Sequence, residues 1–173
     1  EYAIAQRHMD REEYDQARAA WEAFLNKYPL DARAPDVLFN FGEMQHRQGV
    51  GMNDEENEVD EVEYDPAGAR QKFEAAIADW RNLISKFPNS ASAAYASLRI
   101  GITLEEDLGQ LPEALEAYQQ VLANYVTDAQ TRIARLTAAY LEIDTERKFR
   151  SDEQPSIRVT VRNIEEVQVK VYR

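Results

Sequence analysis

The sequence predicts an all-α fold: an α-solenoid of about three helix pairs plus a capping helix, followed by a short C-terminal β segment. Three observations carry this. A stripe of small, aromatic, aliphatic and aromatic residues at i, i+4, i+8 and i+11 is written three times, as Ala17, Trp21, Leu25 and Tyr28, then Ala76, Trp80, Ile84 and Phe87, then Ala114, Tyr118, Leu122 and Tyr125. That spacing is one face of an α-helix. The copies lie 59 and then 38 positions apart in the same order of residue sizes, as expected when neighbouring units bury the same face against each other. Near the C-terminus the period falls to 2: Ile157, Val159 and Val161 alternate with Arg158, Thr160 and Arg162, and Val167, Val169 and Val171 alternate with Gln168, Lys170 and Tyr172.

Taken in order, Ile4, Ala5 and His8 share a face and read as the remainder of a first helix. Arg11-Glu12-Glu13 is a polar corner, and Tyr14 to Lys27 forms the second helix, ended by Tyr28-Pro29 because a residue before proline resists the helical conformation. A third helix opens at Ala34-Pro35, buries Val37, Leu38 and Phe41, and is expected to stop at Gly49 and Gly51. Asp65-Pro66 reads as an N-cap and first-turn proline, opening a helix of about 21 residues to Phe87. Ser90 caps a fifth helix, Ala91 to Leu108, closed by Gly109. Leu111-Pro112-Glu113 opens a sixth, expected to reach Tyr125. A last helix after Thr127-Asp128, with Ile133, Leu136, Tyr140 and Ile143 on one side, is expected to cap the array and fray near Arg147-Lys148. The strands 157–161 and 167–171 are expected to pair through Asn163 to Glu166. The resulting division is a helical domain over 1–145 with an acidic loop, 50–65, inserted in its second unit, a linker over 146–155, and strands over 156–173. Two strands cannot stand alone in water, so they are expected to begin a further β domain. Glu1 as first residue and the stop within an apolar alternation suit a piece of a longer chain.

The net charge of −12 is concentrated: Asp54, Glu55, Glu56, Glu58, Asp60, Glu61, Glu63 and Asp65 stand in one stretch with no base among them. The remainder is mildly acidic and lacks the basic stripe a nucleic-acid surface requires. There is no cysteine, which excludes disulfides, thiolate zinc sites and cysteine nucleophiles in these residues. No apolar run is long enough to span a membrane.

The pattern Phe41-Gly42, Gln45, Gly49, then Ala76, Trp80, Leu83-Ile84, Pro88 resembles the tetratricopeptide repeat. So do Ile100-Gly101, Leu104, Gly109, Ala114, Tyr118, Val121-Leu122, and the first unit through Ile4-Ala5, His8, Tyr14, Ala17, Trp21, Phe24-Leu25 and Pro29. The resemblance covers about Glu1 to Asp144. It departs at the acidic insertion, at one extra residue before Gly109, and at Val126 in place of the terminal proline. It implies a right-handed solenoid that binds protein. Lys27-Tyr28-Pro29 and Lys86-Phe87-Pro88-Asn89-Ser90, with Ala94-Tyr95 and Arg99-Ile100-Gly101, are similar to the envelope-associated bacterial subtype, which implies a periplasmic or cell-envelope location. The tail, above all Arg162-Asn163-Ile164 and Val169-Lys170-Val171-Tyr172, resembles the opening strands of an α2-macroglobulin-like β-sandwich. That likeness implies a protease-trapping parent whose thioester chemistry would lie elsewhere, since it needs a cysteine.

Little in the chain suggests chemistry. The acidic loop has carboxylates for a hard cation but no glycine between Asp54 and Asp65 for the sharp turn calcium loops use, so a solvated loop is the expectation. His8 and His46 lie in different units with no second histidine at i+4, so no metal pair is expected, and His8 reads as a packed or simply hydrogen-bonded ring. Pairs such as Glu12-Glu13 and Glu105-Glu106 read as solvated charge. No cofactor, metal or catalytic site is expected. What remains is the concave groove, which the resemblance lines with first-helix side chains: Phe39, Glu43 and His46 in the second unit, Tyr95, Leu98, Ile102 and Glu105 in the third. These supply no Lys/Asn clamp for a terminal carboxylate, so an apolar contact is expected, either with an amphipathic helix or peptide of a partner or with the parent's own β domain. The expected role is a non-catalytic scaffold; the alternative is an accessory segment of a protease-trapping or other enzyme protein. A third reading is self-association through the unpaired C-terminal strand.

Overall fold

The computed structural model describes residues 1–54, 64–144, 156–168 and 170. The helices follow as α1 (Tyr2–Asp10), α2 (Tyr14–Lys27), α3 (Ala34–Met52), α4 (Pro66–Lys86), α5 (Ala91–Ile102), a π-turn over Thr103–Asp107, α6 (Leu111–Gln119), a 3-10 turn over Ala123–Tyr125, and α7 (Val126–Thr137). β1 (Tyr140–Asp144) and β2 (Arg158–Arg162) then pair antiparallel. Helices α1/α2, α3/α4 and α5/α6 are successive antiparallel pairs, and α7 packs on α6.

The local signals explain most boundaries. Asp65 accepts a hydrogen bond from the Gly68 amide at 2.9 Å, and Ser90 accepts one from the Ala93 amide at 3.0 Å, so α4 and α5 start where a side chain satisfies an otherwise orphaned amide. Pro35, Pro66 and Pro112 stand in first turns, where their missing N–H is not needed. Gly109, at φ +64°, makes the turn between α5 with its π-turn and α6, a conformation that suits glycine. The core is one continuous seam whose largest fully buried side chains include Trp21, Trp80, Phe24, Phe73 and Leu83.

Several expectations are corrected. Helix α3 runs through Gly49 and Gly51 to Met52. Gly49 faces α4 there: a β-carbon on it would lie 2.7 Å from the Phe73 ring and 3.1 Å from the Ala69 carbonyl, so its small size serves close helix approach and not termination. The extra residue before Gly109 is absorbed by the π-turn, a one-residue widening of the helix after Ile102. Helix α6 stops at Gln119, six residues early, and the Leu122 amide instead donates to Ser97 Oγ at 3.1 Å. The largest correction is at α7, which ends at Thr137. Ala138 is extended (φ −62°, ψ 142°), and Tyr140 and Ile143, expected on a helical face, lie in β1. The run Leu141, Ile143 alternating with Glu142, Asp144 has period 2, which the helical reading overlooked.

Strand β2 covers the first expected strand, but its partner is β1 and not 167–171. Val167 and Gln168 lie outside any strand, and Val169 and Val171 lie outside the described residues. The pairing sets Leu141 opposite Val161 and Ile143 opposite Val159, so one sheet face is apolar, with all four exposed. The other face carries Tyr140, Glu142, Asp144 and their partners Arg162, Thr160 and Arg158. Asn163, at φ 55°, ties the sheet to the end of α7 by donating to the carbonyls of Leu136 (2.7 Å) and Ala138 (3.0 Å). Most of the acidic loop (55–63) and all of the linker (146–155), with the fraying point at Arg147-Lys148, lie outside the described residues.

Candidate interaction site

The first helices of successive pairs, α3 and α5, contact each other, and this contact uses the residues expected to face a partner. Phe39 is half-buried between Trp80 (centroids 6.1 Å apart, stacked) and Tyr95 (5.3 Å), and Tyr95 continues to Tyr125 (5.2 Å). Four rings thus run from α4 across α3 and α5 to the turn before α7. Glu43 accepts from Arg99 Nε at 3.0 Å, and the Arg99 guanidinium lies 5.2 Å above the Trp80 ring. His46 Nε2 is 2.9 Å from Asp107 Oδ2, with its ring 5.3 Å from Phe73. Asp36 accepts from the Ser92 hydroxyl on the same seam.

Leu98, Ile102 and Glu105 lie at the next junction. Leu98 is buried and Ile102 half-buried, and together they line a cleft of about 380 Å³ walled by Asp128, Thr131, Arg132 and Arg135 of α7. Glu105, 8 % exposed along its side chain, accepts from the Tyr118 hydroxyl (2.7 Å), from Arg132 Nη1 (3.1 Å) and from Arg135. Burial pushes its carboxyl up, but the Tyr118 and Arg132 hydrogen bonds and the Arg135 charge outweigh that and leave the pKa below the ordinary value. Burial and the same carboxylate hold the Tyr118 phenol above its ordinary value.

The seven residues therefore fall into two groups, Phe39, Glu43, His46 and Tyr95 at the α3/α5 seam and Leu98, Ile102 and Glu105 at the α5/α7 seam. Glu105 is not the solvated charge its neighbourhood in sequence suggests. Sequence reasoning missed the partners Asp107, Arg132 and Arg135. The repeat register fails there because the π-turn shifts every position after Ile102 by one, and the extra residue before Gly109 was the available signal. At the other end His8 Nδ1 lies 2.5 Å from Glu13 Oε2, a simple hydrogen bond as expected. Among the described residues no three His, Cys, Asp or Glu side chains are grouped to hold a metal, and no helix is long and apolar enough to cross a membrane.

Stacked antiparallel helix pairs with side-chain links between successive first helices define an α-solenoid of repeated units. The family model of the tetratricopeptide repeat matches residues 2–49 and 67–129, more than half of the chain, and the unmatched stretch between them contains the acidic insertion. The chain belongs to the tetratricopeptide repeat family. Among curated proteins, none matches it. Repeats of this family mediate protein–protein interaction.

Proposed function

We propose that this chain is a non-catalytic scaffold module that holds a peptide or helix of a partner, or a neighbouring domain of its own parent, against the face made by α3, α5 and α7. The observation that carries this is the cleft over Leu98 and Ile102, an apolar floor between two first-type helices with Arg132 and Arg135 on one wall. Phe39, Glu43 and His46 are engaged in the neighbouring seam and shape the surface more than they offer it. An apolar floor beside guanidinium groups suits a segment with an aliphatic side chain next to an acidic one. The test is selection of binding peptides by display, followed by calorimetry against Ile102→Glu and Arg135→Glu, both at positions that retain solvent access. Affinity should fall at least tenfold with the helical circular dichroism unchanged. Peptides that bind both variants as they bind the parent chain would refute the reading.

A second reading concerns the sheet. The exposed apolar face of Leu141, Ile143, Val159 and Val161 supports a role in joining the array to a β-rich surface, either a further domain or a second copy. Light scattering of the chain beside a Leu141→Lys, Val161→Lys variant decides between them. A dimer that the variant abolishes assigns the face to self-association, and monomers in both assign it to another β surface.

A further inference from the structure

The outer helices α2, α4 and α6 are joined differently at the two junctions. At the first, Arg18 on α2 bridges to Asp79 on α4 at 3.4 Å. The repeat register, which equates Ala17 with Ala76 and Trp80 with Tyr118, puts Ile77 and Ala117 where that pair would stand at the second. The bridge is therefore missing, and a cleft of about 420 Å³ lies between α4, α5 and α6. The early end of α6 shapes one side, because the chain after Gln119 turns so that the Leu122 amide meets Ser97 Oγ, while the Ser97 hydroxyl donates to the Ala94 carbonyl at 2.6 Å. Ile84, Ile100, Ala117 and Leu122 give the cleft an apolar lining. Glu113 and Glu116, one turn apart on α6, stand on its wall with Arg81 of α4. Among the described residues none of these three charges has an ion-pair partner, although Arg18, Glu43, His46 and Glu105 at the other seams all do.

We infer that this outer cleft is a second docking site, distinct from the α3/α5/α7 face, and that it takes a partner peptide in which an aliphatic side chain is flanked by lysine or arginine. Its volume lies in the range of about 300–1,000 Å³ usual for ligand pockets. The aliphatic side chain fills the space that Ala117 leaves, and a cationic neighbour meets Glu113 and Glu116. Arg81 supplies a donor for a peptide carbonyl and disfavours a second cation on its side. Most of the chain's net charge of −12 sits in the stretch from Asp54 to Asp65, so the attraction at this cleft comes from Glu113 and Glu116 themselves.

The test is an NMR titration of the whole isotope-labelled chain with the acetylated, amidated tetrapeptide Lys-Leu-Leu-Lys, beside Glu-Leu-Leu-Glu as control. The basic peptide should shift the amides of Ile84, Ser97, Ala117 and Leu122, and the acidic one should not. Reversing both exposed carboxylates with Glu113→Lys and Glu116→Lys should weaken binding of the basic peptide at least tenfold. The Ala117→Leu variant, which fills the cleft without changing charge, should weaken it as well. No shift at these amides, equal response to the two tetrapeptides, or indifference to both variants would overturn the inference. Shifts confined to α3 and α7 would also overturn it while leaving the inner-face reading intact.

Discussion

Trp21, Trp80 and Tyr118 fill the same register position in three successive pairs and are all essentially inaccessible, yet their polar atoms have three different fates. The Trp80 indole donates to the Phe39 carbonyl at 3.2 Å, and the Tyr118 hydroxyl donates to Glu105. Trp21 Nε1 is buried with no partner among the described residues. The residue each ring faces differs in parallel. A β-carbon on Gly42 would lie 2.3 Å from Trp80 Nε1, and one on Gly101 would lie 2.4 Å from the Tyr118 ring. The register position in the first pair holds Ala5. Glycine lets the Trp80 and Tyr118 rings come this close to the facing helix, where the first pair carries a methyl group. The repeat thus conserves the volume of a core site while leaving the hydrogen bond to local chemistry, and an unmade buried bond of this kind costs about 1–3 kcal/mol.

The third niche has most to lose. Glu105→Ala removes the shared acceptor of Tyr118, Arg132 and Arg135: the buried phenol loses the group it donates to, and Arg132 is left with Glu106 at the exposed rim. Urea unfolding should show a loss of about 3 kcal/mol. The pH dependence has a fixed sign. Because the folded carboxyl titrates below its ordinary value of 4.5, its contribution is fully present above pH 4.5 and is lost as pH falls through the folded value. Glu105→Gln should remove that part of the acid limb. An identical acid limb in the variant would show that the α5/α7 junction does not depend on this ionisation.

Periodicity made the helix pairs legible, since Ala17 and Trp21, with their copies Ala76 and Trp80, and Ala114 and Tyr118, keep one helical spacing on the buried face of α2, α4 and α6. The strand at Tyr140 was hidden because Ile133, Leu136, Tyr140 and Ile143 also satisfy a 3.6 period. What separates the two readings is the extended Ala138 and pairing with a segment about 20 residues away, neither of which a local window contains. The residues expected to line the groove lie on α3, α5 and the π-turn, but their mutual pairing is not legible in the sequence, because Arg99–Glu43 and His46–Asp107 join residues 56 and 61 positions apart. The π-turn shows the same limit. One extra residue before Gly109 is visible in the sequence, but whether it lengthens the loop or widens the helix depends on Gly109 keeping its place and Glu105 finding Tyr118.

The first two niches can be exchanged by two single methyl groups. Gly42→Ala places its β-carbon on the Trp80 indole, breaking the bond to Phe39 and displacing Arg99 from the ring, and should cost about 2–3 kcal/mol in thermal or urea unfolding. Ala5→Gly does the reverse. It frees the Trp21 indole to approach the carbonyl of Tyr2, the register counterpart of Phe39, but adds a helical glycine penalty of about 1 kcal/mol. The hydrogen bond gained is worth about the same, so the net stability change should be within about 0.5 kcal/mol while the Trp21 indole proton becomes protected from exchange with solvent. A loss of a full kcal/mol with no added protection would mean that Ala5 does not hold the ring away, and that the difference between the first and second pairs lies in the shortness of α1.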